Sequence, residues 1–95
     1  MQLETKTEYT ELQAQAESGD VQAQLKLGLL CQRESQRGFT NAMDEAKIEA
    51  YKWFKLAADR GNKIARNNRD LATFHMTREE VMEGNRRAVT FTAKR

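Results

Sequence analysis

The stretch Glu49-Ala50-Tyr51-Lys52-Trp53-Phe54-Lys55-Leu56-Ala57-Ala58-Asp59-Arg60-Gly61 decides the fold, because it holds the only tryptophan of the chain and its densest aromatic cluster. Ala46, Ala50, Trp53, Phe54, Ala57, Ala58 and Gly61 recur at three- and four-residue steps, the period that lines residues along one side of an α-helix. That side sets two large rings among small alanines. A neighbouring helix can come close at the alanines while the rings fill the space beside them, which predicts packing on both flanks. Burying Trp53 and Phe54 contributes on the order of 1.5–3 kcal/mol each, enough to make this helix a core element. Gly61 then ends it by supplying the left-handed position past the last turn.

Outward from this helix, composition sets the class. A chain of 95 residues makes one small domain, residues 1–95, with a modest core. The absence of proline and the abundance of Ala, Gln, Glu, Lys and Arg predict an all-α fold, and no stretch has the two-residue period of a strand. The net charge of +2 points to neither nucleic acid nor a membrane as partner. Its distribution is uneven: Met1 to Asp59 has 7 basic against 10 acidic residues, whereas Arg60 to Arg95 has 9 against 4. A basic C-terminal third suits an acidic partner. Cys31 is the single cysteine, so no internal disulfide is possible, and its apolar neighbours Leu27, Gly28, Leu29 and Leu30 predict a small buried hydrophobe. The start of the chain lacks an apolar signal segment and no stretch approaches a membrane span, which predicts a cytoplasmic protein.

In chain order, five helices are expected, over about residues 6–18, 21–32, 43–60, 62–74 and 77–92. Thr5 with Glu8 fits a capping box for the first, whose apolar side is Tyr9, Leu12 and Ala16, and Gly19-Asp20 breaks it. The second is apolar over a wide arc (Val21, Leu25, Gly28 and Leu29 on one flank; Ala23, Leu27, Leu30 and Cys31 on the other), which implies neighbours on two sides. Gly28 within it costs nearly 1 kcal/mol relative to alanine if exposed, so a close helix contact is expected there. Glu34 to about Asn41 reads as the longest loop, with Phe39 tucked beneath it, and Asn41 or Asp44 caps the third helix. Asn62 caps the fourth, with inner positions Ile64, Ala65, Asn68, Leu71 and Ala72. The buried amide of Asn68 is expected to bond loop backbone near Gly38 to Asn41. Thr77 and Glu80 form a second capping box, with Met76 and Val81 as its hydrophobic staple, and Val81, Met82, Ala88 and Val89 are expected to face inward on the fifth helix.

The chain also repeats itself. A shift of 42 positions lays Tyr9 on Tyr51, Leu12 on Phe54, Ala16 on Ala58, Glu17 on Asp59, Gly19 on Gly61, Asp20 on Asn62 and Ala23 on Ala65. The unit is a helix ending in Gly, a one-residue cap and a second helix folding back on the first. Such pairs bury their inner faces by stacking on one another. The register weakens beyond Ala65, where Leu27-Gly28 falls on Arg69-Asp70, as a terminal unit would.

These residues resemble a family. Ala23-Gln24 followed by Leu27-Gly28, then Glu49 through Asn62 and Ala65, is similar to a Sel-like repeat, the α/α relative of the tetratricopeptide repeats. Arg69-Asp70-Leu71-Ala72 and Met76 through Ala88 resemble the closing end of bacterial Sel-like proteins. The loop from Glu34 to Ala42 lacks the usual Gly-Val-Pro turn, and one full repeat is fewer than most members carry. The resemblance implies a short right-handed α/α solenoid of about five helices: one full repeat, flanking half-units and a C-terminal capping helix. It further implies a non-catalytic scaffold that binds another protein, with the first helix of each pair lining a concave face. Gln22, Leu25, Leu29, Gln32 and Arg33, with Ile64, Asn67 and Leu71, would lie there. Leu25 and Leu29 among amides suit a peptide or helix, unless the fifth helix or the N-terminal segment covers them.

No catalytic constellation is legible. His75 is the sole histidine and cannot build a zinc site of the usual ligand count, and no serine or cysteine has an evident base. Glu79, Glu80 and Glu83 read as helix-start stabilisation. The second expectation for function is a self-associating module, a homodimer burying Tyr9 and Leu12. Nucleic-acid binding through Arg60, Lys63, Arg66, Arg69, Arg86, Arg87, Lys94 and Arg95 is disfavoured because these alternate with acids and have only Phe74 and Phe91 near them.

Overall fold

The computed structural model describes residues 2–35 and 43–93, with side chains from residue 8 onward. Five helices follow in order: α1 (Gln2–Glu17), α2 (Val21–Ser35), α3 (Glu45–Asp59), α4 (Lys63–Thr73) and α5 (Arg78–Thr90). No strand occurs among the described residues. α3 lies at the centre and packs against α2, α4 and α5, while α1 leans on α2. Trp53, Phe54, Ile48, Ala50, Tyr51 and Ala57 of α3 are all buried, so the ring-and-alanine stripe is the core element its spacing predicts.

The close approaches are made by two glycines. A Cβ on Gly28 of α2 would lie 2.6 Å from Phe54 Cε1, and one on Gly84 of α5 would lie 2.6 Å from Tyr51 Cδ1. The Phe54 and Tyr51 rings therefore rest on bare helix backbone to either side of α3. The contact expected of Gly28 is present. The role of Gly84 was not legible in the sequence, because α5 turns a smaller face inward than its apolar residues suggest. Glu80, Gly84 and Ala88 are buried, whereas Met82 and Val89, expected inside, are exposed.

The 42-residue repeat is visible in backbone geometry. Gly19 and Gly61 both have positive φ, 104° and 99°. Gly19 N–H donates to Ala16 O at 3.1 Å and Gly61 N–H to Ala58 O at 2.9 Å. Asp20 N–H donates to Gln15 O and Asn62 N–H to Ala57 O, each at 3.1 Å. These are the paired bonds of a Schellman turn, made twice at equivalent positions. The cap residue then starts the next helix: Asp20 Oδ1 accepts from Ala23 N–H at 2.9 Å and Asn62 Oδ1 from Ala65 N–H at 2.8 Å. One residue thus closes one helix and opens another in both hairpins.

Several boundaries differ from expectation. α1 begins at Gln2, so Thr5 sits inside it and is not its cap; the run Gln2-Leu3-Glu4 consists of good helix formers with no breaker to exclude it. α2 continues through Arg33 and Glu34 to Ser35 for the same reason. Of the two candidate caps for α3, Asp44 serves: its Oδ1 accepts from Ala46 and Lys47 N–H. α5 stops at Thr90 because Phe91 turns extended and sets its ring edge-on to Trp53, 5.6 Å between centroids at 76°. On α4, Ala65 is buried and Ala72 and Asn68 are half-buried, but Ile64 and Leu71 are exposed rather than inner. With two alanines against α3, α4 needs no larger side chain on that side. Asn68's expected partners, the backbone of Gly38 to Asn41, and the placement of Phe39 lie outside the described residues.

Polar links lock α5 to α3. Glu80 is buried, and its carboxylate accepts from the backbone of both helix caps: Thr77 N–H at 2.8 Å and Asp44 N–H at 2.7 Å. With Glu80 N–H donating to Thr77 Oγ1, the predicted capping box is complete. Burial alone would push the Glu80 carboxyl up; the two backbone donors, from Asp44 and Thr77, with nearby Lys47, outweigh it and hold the group below its ordinary range. At the other end, Arg87 forks onto Glu45 at 2.6 and 3.0 Å and reaches Glu49 and Glu83 at 2.8 Å. One guanidinium ties three carboxylates on two helices.

Candidate functional site

The residues expected on a concave face divide once placed. Leu25 is buried in the main core cluster, so it is not a surface anchor. Gln22, Arg33 and Asn67 are exposed and Gln32 is half-buried. Large apolar side chains are exposed at several places: Leu29, 40 % exposed, on α2; Ile64 at 61 %, Leu71 at 58 % and Phe74 at 81 % on and just after α4; and Tyr9, Met43, Met82 and Val89 elsewhere on the surface. No helix among the described residues is long and apolar enough to cross a membrane.

A pocket of about 200 Å³ lies where the ends of α2 and α4 meet over the start of α3. It is lined by Gln32 and Ser35 of α2, Lys47 and Ala50 of α3, and Ala72, His75 and Met76 at the junction of α4 with α5. Of the residues expected at the site it includes Gln32 alone. Lys47 and Met76 escaped the sequence reading because nothing in the local pattern shows that the start of α3 and the turn before α5 converge. Lys47 Nζ donates to His75 O at 2.9 Å, and Ser35 Oγ donates to Gln32 O at 2.7 Å. The Lys47–His75 bond ties the start of α3 to the turn before α5 beside the pocket, and Ala50, Ala72 and Met76 give its walls apolar surface. A second groove, between α1 and α2, is lined by Tyr9, Leu12 and Leu30 with Glu8, Lys26 and Glu34 at its rim.

Cys31 is buried, and that burial, with Glu49 nearby, pushes its thiol up to about 11. A thiol with that value stays protonated near neutrality and is a packing group, as its apolar neighbours predict. No group of three or more His, Cys, Asp and Glu side chains among the described residues is placed to hold a metal ion.

Against protein-family models, curated proteins and solved structures the chain finds no match. The Sel-like resemblance therefore stands on the residues quoted above. What the fold defines directly is a small all-α domain of five helices built around α3.

Proposed function

We propose that the chain is a short Sel-like α/α solenoid that works as a non-catalytic cytoplasmic scaffold, docking a peptide or helix of another protein across α2 and α4. The observation that carries this reading is the exposure of Leu29, Ile64 and Leu71. These are large apolar side chains on α2 and on α4, its counterpart 42 residues on, with the amides of Gln22, Gln32 and Asn67 on the same two helices. Apolar anchors within a hydrogen-bonding surround are what peptide recognition requires. The duplicated Schellman turn supports the stacked-hairpin architecture, since it sets α2 and α4 at equivalent places after equivalent helices.

The test is affinity capture with cross-linking of the full chain, compared with a Leu29→Glu, Leu71→Glu variant whose thermal midpoint matches the wild type. A partner cross-linked to α2 and α4 and lost with the variant is expected. Capture that the variant leaves unchanged would overturn the reading. A second reading, the self-associating module, draws on Tyr9, 41 % exposed beside Leu12 and Leu30. Sedimentation separates the two: a stable dimer lost in Tyr9→Glu favours self-association, and a monomer favours the scaffold.

A further inference from the structure

We infer that the exposed face of α4 takes an acidic amphipathic helix. This rests on the scaffold reading above and adds to it the chemistry of the partner. Ile64, Asn67, Leu71 and Phe74 follow one another at steps of three and four along α4 and its C-cap, and the three apolar members stand out from the surface. Ten residues of helix span about 15 Å, two to three turns, and this spacing is the seam along which a second helix packs. Ala65 is buried and Ala72 half-buried where α4 packs on α3, while Ile64, Leu71 and Phe74 are each more than half exposed, so the stripe is a surface face of α4.

Charge selects the occupant. Across α3 to α5 almost every carboxylate is engaged: Asp59 with Lys55, Asp70 with Arg69, Glu83 with Arg86 and Arg87, Glu45 and Glu49 with Arg87, and Glu80 with two backbone caps. Arg60, Lys63, Arg66 and Arg78 are exposed, and none pairs with a carboxylate among the described residues. Lys63 and Arg66 lie on α4 itself, Arg60 in the turn before it and Arg78 just beyond Phe74. An apolar seam edged by four unneutralised cations is complementary to a helix carrying Leu, Ile or Phe on one side and Asp or Glu beside them. A second copy fits less well. From Glu8 to Asp20 the chain is acidic without a Lys or Arg, but Tyr9 is its one exposed large apolar side chain, and Glu11, Ala14 and Gln15 add none to form a seam. A nucleic acid would use the cations and Phe74 and leave Ile64 and Leu71 without a counterpart.

The experiment is selection of a randomised peptide-display library on the full chain, read by sequencing and by fluorescence titration of the enriched peptides. Expected are peptides with apolar residues at three- and four-residue steps and an excess of Asp and Glu. Their binding should weaken roughly tenfold or more in Lys63→Glu, Arg66→Glu, both surface positions, and fall with added salt. Neutral or basic peptides, or binding indifferent to the charge reversal, would overturn this inference while leaving the scaffold reading intact. Failure to enrich any peptide that Leu29→Glu, Leu71→Glu releases would overturn both. A mixed-sequence single-stranded oligonucleotide bound in place of peptide, or a dimer in sedimentation that the charge reversal dissolves, would reassign the face to nucleic acid or to a second copy.

Discussion

At the scale of single residues, Gly28 and Gly61 show how one residue type serves two physical needs. Gly28 is helical, and alanine there would gain about 1 kcal/mol of helix propensity. Its new Cβ would stand 2.6 Å from the Phe54 ring, and Phe54 is fully enclosed. Overpacking of such a ring costs about 1–3 kcal/mol, so Gly28→Ala is expected to lower the urea midpoint. Gly61 has nothing within 4 Å of an added Cβ but holds φ at 99°. Gly61→Ala should therefore lose about 1–2 kcal/mol through backbone strain alone, and Gly61→Asn should recover part of it, whereas no side chain rescues Gly28. Glu80 contributes to the pH dependence of stability, beside Glu45 and Glu83, whose carboxyls Arg87 and Arg86 hold below their ordinary range. Its folded carboxyl lies below the ordinary value, so its contribution is present above the unfolded value near pH 4.3 and is lost as pH falls through the folded one. Glu80→Gln keeps an acceptor for only one of the two cap N–H groups and should cost about 1.5–3 kcal/mol near neutrality. Urea titrations of the two proteins across acidic pH should converge as the wild-type carboxyl protonates; a constant gap would argue against the ionised double cap.

At the scale of elements, what the sequence revealed and what it hid follow from the range of the interaction that decides each feature. The α3 stripe, the two hairpin turns and the Thr77–Glu80 box depend on neighbours within a few residues, and all were legible. The start of α1 was misplaced because Thr5 can cap a helix but cannot prevent residues before it from joining one. The inner faces of α4 and α5 were misjudged because the choice of side is made by α3. Tyr51 is large, so the α5 residue facing it is Gly84, and on α4 the small Ala65 is buried and Ala72 half-buried while Ile64 and Leu71, like Met82 and Val89 of α5, are left outside. The same choice exposes the surface read as functional, which is why Ile64 was assigned both inward and to a binding face. Phe91 is the clearest case of an element ended by a distant residue. Removing its ring in Phe91→Ala should cost about 0.5–1.5 kcal/mol for the lost ring pair beyond its burial. It should also shift Trp53 emission to longer wavelength as the indole edge meets water; unchanged emission would mean that Trp53 is shielded without it.

At the scale of the whole molecule, the electrostatic and apolar features sort to different places. The buried interior, from Ala16 through Phe54 to Ala65, is almost wholly apolar, and α3 and α5 are bound by the carboxylates around Arg87 and at Glu80. On and around α4, exposed apolar side chains and cations without a carboxylate partner among the described residues occur together, whereas Tyr9, Met43, Met82 and Val89 are exposed elsewhere. The proposed docking role rests on this coincidence of apolar and basic side chains on one helix. The most direct measurement is backbone-amide chemical-shift mapping of the labelled full chain titrated with the peptide that its own selection enriches. We predict that the perturbed amides cluster at Leu29, Gln32, Ile64, Asn67 and Leu71, with α1 and the outer side of α5 unmoved. Perturbations confined to α1 or to Met82 and Val89 of α5 would contradict the assignment of the docking face to α2 and α4.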